Sequence, residues 1–144
     1  IDKLPGAIIK KVNKLKKETD ENLGSCINVA INYGGREEIV DTTKKIIEDV
    51  ISVDGNAQQI KKLESINEEV IRNNSYLPVI PEPELLIRTG GHSRVSNFLL
   101  WHIAYSEIDI CDKLWPDFNS NDLEESIKKY KCVDRKFGGS SKND

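Results

Sequence analysis

The sequence predicts a parallel α/β sheet with helices on both faces. Three observations predict it. Short, mostly apolar runs at residues 26–33, 84–88 and 108–111 have the unbroken hydrophobicity of strands covered on two sides. Stretches with helical spacing stand between them, and glycine pairs close the first two runs at Gly34-Gly35 and Gly90-Gly91. Strand, helix, strand, helix and strand in that order are the signature of parallel strands joined by crossovers. In such sheets ligands lie beyond the carboxyl ends of the strands. No internal repeat, low-complexity stretch or domain boundary interrupts the pattern, so residues 1–144 read as part of a single domain.

The elements follow in order. Leu4 to Lys17 reads as a helix, with Pro5 in its first turn and Ile8, Ile9, Val12 and Leu15 on one face. Lys10, Lys11, Lys14, Lys16 and Lys17 fall mainly on the other side and read as a solvated face. Cys26 to Tyr33 reads as the first buried strand. In Glu37 to Val53 the residues Ile39, Val40, Ile46, Ile47, Val50 and Ile51 repeat at helical spacing, so one stripe is expected against the sheet. Asp54-Gly55-Asn56 ends that helix, and Ser65 with Glu68 has the spacing of a capping box opening a shorter one. Residues 78–83, bounded by prolines, form an extended connector. Glu84 to Arg88 is the second strand, Asn97 to Tyr105 an interior helix, and Ile108 to Cys111 the third strand. A last helix from Asp122 to Lys131 has Asn121 available as cap, and residues 138–144 read as a flexible tail.

Bulk properties narrow the function. A chain of 144 residues with 38% apolar content can bury a core of ordinary domain size. Its longest apolar runs fall far short of the roughly 18 residues that crossing a bilayer needs. The formal charge of -3, from 24 acidic and 21 basic residues, gives no broad basic field, which argues against nucleic acid as a partner. Cys26, Cys111 and Cys132 have no Cys-x-x-Cys pairing and read as reduced, mostly buried thiols. His92 and His102 match no zinc-ligand spacing. No signal peptide is recognisable, which favours a cytoplasmic location. The sequence has no methionine and opens on Ile1-Asp2-Lys3-Leu4-Pro5. Unless an initiator was removed, it is expected to begin inside a longer gene product.

The chemistry concentrates in the turns leaving the first two strands, Asn32 to Arg36 and Arg88 to Asn97. In the second, Arg88 and Arg94 each offer a planar fork that can bond two phosphate oxygens. Gly90 and Gly91 allow backbone amides to approach an anion, and Ser96 and Asn97 are expected at a helix opening, where free N–H groups and the helix dipole favour negative charge. Taken singly, the arginines could pair with surface acids, the glycines could form only a turn, and Ser96 could be only a cap. Together, after a buried strand, they suit a multiply charged diphosphate. Neither Gly-x-x-x-x-Gly-Lys-Ser/Thr nor Gly-x-Gly-x-x-Gly is present, so the usual nucleotide turns do not apply. Glu107, beyond a run of apolar residues, is a carboxylate that is costly to bury without a cation. Near a diphosphate, a hard oxygen of this kind suits magnesium; a salt bridge or plain exposure is the alternative.

The blocks Asn28 to Arg36, Leu86 to Gly91, Arg94 to Trp101, Ala104 to Glu107, Leu114 to Phe118 and Arg135 to Gly139, in this order, resemble the cis-prenyltransferases of the undecaprenyl diphosphate synthase family, in their C-terminal portion. The resemblance implies a magnesium-dependent transferase that adds isopentenyl diphosphate units, as cis double bonds, to an allylic diphosphate such as farnesyl diphosphate. The product is a polyprenyl diphosphate carrier lipid for cell wall precursors. It implies that Arg88, Arg94 and Ser96, with the backbone at Val95, hold the diphosphate of isopentenyl diphosphate, and that Glu107 takes part in Mg2+ binding. It also implies a homodimer whose interface includes the segment from Arg135, and peripheral contact with the lipid product at the inner membrane surface. Two departures stand out. Gly91-His92-Ser93 replaces the family's Gly-Gly-Glu, and the Asp-Gly-Asn-Gly-Arg segment carrying the catalytic aspartate is not in this sequence. The expectation is therefore a fragment without prenyl transfer activity by itself, prone to association through exposed apolar surface. A non-catalytic partner subunit and a phosphate-binding regulatory module are the competing expectations.

Overall fold

A computed structural model describes residues 4–78 and 80–133. The expected tail at 138–144 and the segment from Arg135 to Gly139 lie outside the described residues. The chain divides into two compact units, residues 1–33 and 34–144.

In the first unit, α1 spans Gly6–Thr19 and carries no buried residue. The lysines at its end, Lys16 and Lys17, complement the negative end of the helix dipole. The expected strand at 26–33 does not form. Ile27, Val29 and Ile31 are 85%, 74% and 52% exposed. A strand exists only through its neighbours' ladder hydrogen bonds, and the sheet among the described residues contains two other strands alone. Hydrophobicity is thus satisfied here by neither pairing nor burial.

The second unit opens with α2, Gly35–Ile51. Its buried stripe is Gly35, Glu38, Thr42, Ile46 and Val50, a run of three- and four-residue steps. Ile39, Val40, Ile47 and Ile51, expected on that stripe, are exposed, because the stripe is set by what α2 packs against. Those neighbours are α3, Asn56–Glu64, and α4, Glu68–Asn74. Asp54-Gly55-Asn56 does follow the end of α2, and Gly55, with φ of 90°, also stands directly before α3, a helix the sequence pattern does not announce. At α4 the cap is Asn67, whose side chain accepts from the Val70 N–H at 3.0 Å, and not Ser65. Asn67 stands directly before the first helical residue, where its short amide reaches the orphan N–H groups.

Two strands follow, β1 at Leu85–Thr89 and β2 at Glu107–Cys111, parallel and in the register Leu85 to Glu107 and Arg88 to Ile110. The α/β class with parallel pairing is therefore present. The expected helix from Asn97 to Tyr105 is replaced by successive turns. Ser96, Asn97 and Leu99 have φ of 52°, 65° and 44°, and left-handed residues cannot carry a right-handed ladder. After a single 3₁₀ turn at Trp115–Asp117, α5 spans Ser120–Lys131. Its capping box joins Asn119 and Asp122, so Asn119 is the cap where Asn121 was expected. Lys129 fastens α5 to β2 through Asp109 at 3.1 Å. The apolar core includes Ile46, Val50 and Ile103.

Of the cysteines, Cys26 and Cys132 are exposed and Cys111 is half-buried, all free. The expectation of mostly buried thiols fails for two of the three, Cys26 in a segment without regular structure and Cys132 at the end of α5. No helix among the described residues is long and apolar enough to cross a membrane.

A candidate diphosphate-binding loop

β1 delivers Arg88 to its carboxyl end, and the chain then turns back through Gly90 and Gly91, with φ of 90° and 69°. Both values are strained for any residue with a side chain, and at Gly91 a Cβ would also come within 3.0 Å of Asp112 Oδ1. The two glycine N–H groups bond the carbonyls of Lys113 and Cys111 at 2.8 and 3.0 Å. They are therefore committed to holding the turn against the segment after β2, and the anion-facing role expected of them does not hold. The reason is elementary: an N–H already bonded within the turn has no hydrogen left for an anion.

The turn brings Arg88 back onto the residues that follow it. Its Nη1 donates to Ser96 Oγ at 2.9 Å and to the carbonyl of Arg94. Its Nε is buried with no hydrogen-bond partner among the described residues. Among those residues, neither Arg88 nor Arg94 has a carboxylate within ion-pair distance. The surface-acid pairing that would have made these arginines unremarkable is thus not made. Arg94 is exposed, with its N–H bonded to the carbonyl of His92 at 2.9 Å, and Val95 is half-buried. His92 itself is exposed in the same loop. The structure brings Arg88, Ser96 and the backbone of Arg94 into contact.

The helix dipole expected at Ser96 and Asn97 is absent, since no helix begins there. A different helix start is nearby. Asn97 accepts the Gly35 N–H at its carbonyl, 2.7 Å, and the Arg36 N–H at Oδ1, 2.9 Å, satisfying two of the orphan donors that open α2. The loop after β1 and the first turn of α2 are thereby fastened together. Gly35 is required at this crossing, where a Cβ would lie 2.9 Å from Leu100 Cγ and 3.1 Å from the Asn97 carbonyl. Sequence reasoning placed Asn97 at a helix opening beside Ser96, and Arg36 in the first of the two turns, but not the contact between them. The available signal was the double glycine in Tyr33-Gly34-Gly35-Arg36, which marks close backbone approach.

Glu107 is placed differently. It is the first residue of β2, half-buried, in register with Leu85, and its N–H bonds the Glu84 carbonyl at 3.0 Å. Arg88 is three register steps further along, about 10 Å at 3.3 Å per residue. No group of three or more His, Cys, Asp or Glu side chains that could hold a metal occurs among the described residues. Glu107 fits magnesium only as one hard oxygen of a set completed by substrate phosphate and other donors.

His102, matched to no metal, is 5% exposed and places Nε2 at 3.3 Å from Oε1 of Glu38, itself 2% exposed. The same oxygen accepts the Tyr76 N–H at 2.9 Å.

A cationic loop with no carboxylate partner among the described residues thus stands at the carboxyl end of a parallel strand, where sheets of this class bind ligands. Comparison with known proteins narrows that class. Residues 1–138 match the prenyltransferase family described as undecaprenyl diphosphate synthase. An isoprenyl transferase of Thermotoga maritima is 43% identical over 94% of this chain and 55% of its own length. A tritrans,polycis-undecaprenyl-diphosphate synthase (geranylgeranyl-diphosphate specific) of Sulfurisphaera tokodaii is also 43% identical, over 96% of this chain and 50% of its own length. Among solved structures, lavandulyl diphosphate synthase from Lavandula x intermedia, in complex with dimethylallyl diphosphate, superposes with a TM-score of 0.86 at 31% identity. That match covers 96% of this chain and 57% of the other. The chain belongs to the cis-prenyltransferase family, and it spans about half the length of the curated relatives it matches.

Proposed function

We propose that this chain holds the diphosphate of isopentenyl diphosphate for a cis-prenyltransferase reaction. In that reaction the isopentenyl unit condenses with an allylic diphosphate, such as farnesyl diphosphate, and inorganic diphosphate leaves. Repetition gives a long polyprenyl diphosphate of the undecaprenyl kind. The observation that carries the reading is the Arg88 guanidinium, fixed by Ser96 and the Arg94 carbonyl yet paired with no carboxylate among the described residues. A guanidinium with unfulfilled donors at the mouth of a sheet is half of a charge-assisted contact.

In this reading Arg88 and Arg94 bind non-bridging oxygens, Ser96 adds its hydroxyl, and the backbone at Val95 sets their spacing. Their task is orientation: they hold the attacking unit still while the allylic carbon loses its diphosphate. Mg2+, held by Glu107 with a carboxylate from elsewhere in the enzyme, would neutralise charge developing on the departing diphosphate. A homodimer working in the cytoplasm, with its lipid product at the inner membrane surface, completes the proposal.

Isothermal titration of isopentenyl diphosphate into the full-length protein tests it. Arg88→Ala and Arg94→Ala should each weaken binding about tenfold or more, the scale of a lost charge-assisted bond. Wild-type affinity in both variants would overturn the assignment.

A further inference from the structure

We propose that His102 is a positioning residue for the diphosphate-binding loop, acting through its buried contact with Glu38. The inference rests on the function proposed above and adds to it a residue that touches no substrate.

The loop must keep Ser96 against Arg88 although Ser96 and Asn97 both occupy the left-handed region. Such conformations persist only when the surroundings over-determine them. The first turn of α2 supplies the constraint at two points. Gly35 and Arg36 donate to Asn97, next in sequence to Ser96. One turn further along the same helix, Glu38 meets His102, which closes the segment 97–102 at its other end. Glu38 is held in turn by the Tyr76 N–H, and the pair lines a small cleft with Thr42, Ser75 and Trp101. Beyond His102 the chain goes directly to Ile103 in the core. Only residues 98–101 separate the two fastenings, so releasing His102 leaves the left-handed segment tied to the first turns of α2 through Asn97 alone.

The contact is also placed where it cannot slip. Both side chains are more than nine-tenths buried, so neither can trade its partner for solvent as an exposed pair does. A displacement of about 1 Å in a substrate-holding group is enough to cost roughly a hundredfold in rate, which is why a remote fastening can matter.

The test is calorimetric titration of isopentenyl diphosphate into the full-length protein, with circular dichroism to verify folding. His102→Asn, too short to span to Glu38, should weaken binding about tenfold, while His102→Gln, which keeps a reaching donor, should bind within about threefold of wild type. In steady-state assays His102→Asn should raise KM for isopentenyl diphosphate and leave KM for the allylic diphosphate unchanged. Folded His102→Asn with wild-type affinity, alongside a weakened Arg88→Ala, would overturn the positioning role and leave the diphosphate reading standing. Equal rises in both KM values would reduce His102 to a general packing residue. Undiminished binding in Arg88→Ala would instead sink the underlying reading. Should His102→Asn not fold, Asn97→Gly, which removes the Oδ1 half of the other fastening without a forbidden φ and keeps the carbonyl bond to Gly35, must give the same split between the two KM values, or the proposal fails.

Discussion

Residues 88–96 and 97–102 are consecutive in the chain and opposite in their electrostatic state. The first stretch carries two guanidinium groups with no carboxylate partner among the described residues, and one buried Nε–H with no acceptor among them. In the second, the Asn97 amide oxygen and carbonyl, and the His102 ring, are all paired with α2. A fold that left both stretches unsatisfied would not hold its loop, and one that satisfied both would have nothing left to bind with. The difference assigns rigidity to one side of Asn97 and ligand affinity to the other.

Substitutions should therefore separate by phenotype, and the largest effect is expected on the rigid side. Gly35→Ala forces a Cβ against Leu100 and the Asn97 carbonyl, contacts that backbone atoms cannot relieve. It should destabilise by about 1–3 kcal/mol, read as a lowered denaturant midpoint in urea. A midpoint equal to wild type would show that the crossing of α2 and the loop is looser than described. On the binding side Arg88→Ala, which loses two hydrogen bonds but also one unpartnered buried N–H, should shift stability by no more than about 1 kcal/mol, in spite of its large effect on diphosphate affinity. A strongly destabilised Arg88→Ala would erase the contrast, since it would make the arginine a structural residue.

The smallest expected effect lies on the outer face of α2. Tyr76 donates to Asp41 Oδ2 at 2.5 Å, and this bond to a carboxylate, aided by burial, pushes the phenol up to about 12. Because the folded value is above the ordinary value of 10.0, the contribution is complete below pH 10 and disappears as pH rises through about 12. Absorbance titration at 295 nm should show one late-ionising tyrosine, and Asp41→Asn should return it to the ordinary range. A tyrosine that already titrates normally in the wild type would remove this hydrogen bond from solution.

Much of the frame was legible in the chain. α2, α5 and both strands were found within two residues at most ends because each combines a clear period with a nearby breaker. The segment 26–33 differs from expectation for a reason local patterns cannot reveal: a short, mostly apolar run announces a buried strand, but ladder partners come from elsewhere. The helix expected at 97–105 failed through Asn97, whose carbonyl and side chain are taken by α2 sixty-odd residues earlier in the chain. In the site, Arg88 and Ser96 were readable from motif and spacing. Their mutual hydrogen bond and the Glu38–His102 pair were not, because both depend on where separate segments meet.

The left-handed backbone at Ser96, Asn97 and Leu99 has one more consequence. Holding each non-glycine residue there costs about 1–2 kcal/mol, drawn from folding and already settled before any substrate arrives. An incoming diphosphate accordingly meets a surface whose shape is preset, and little of its interaction energy is diverted into organising the receptor.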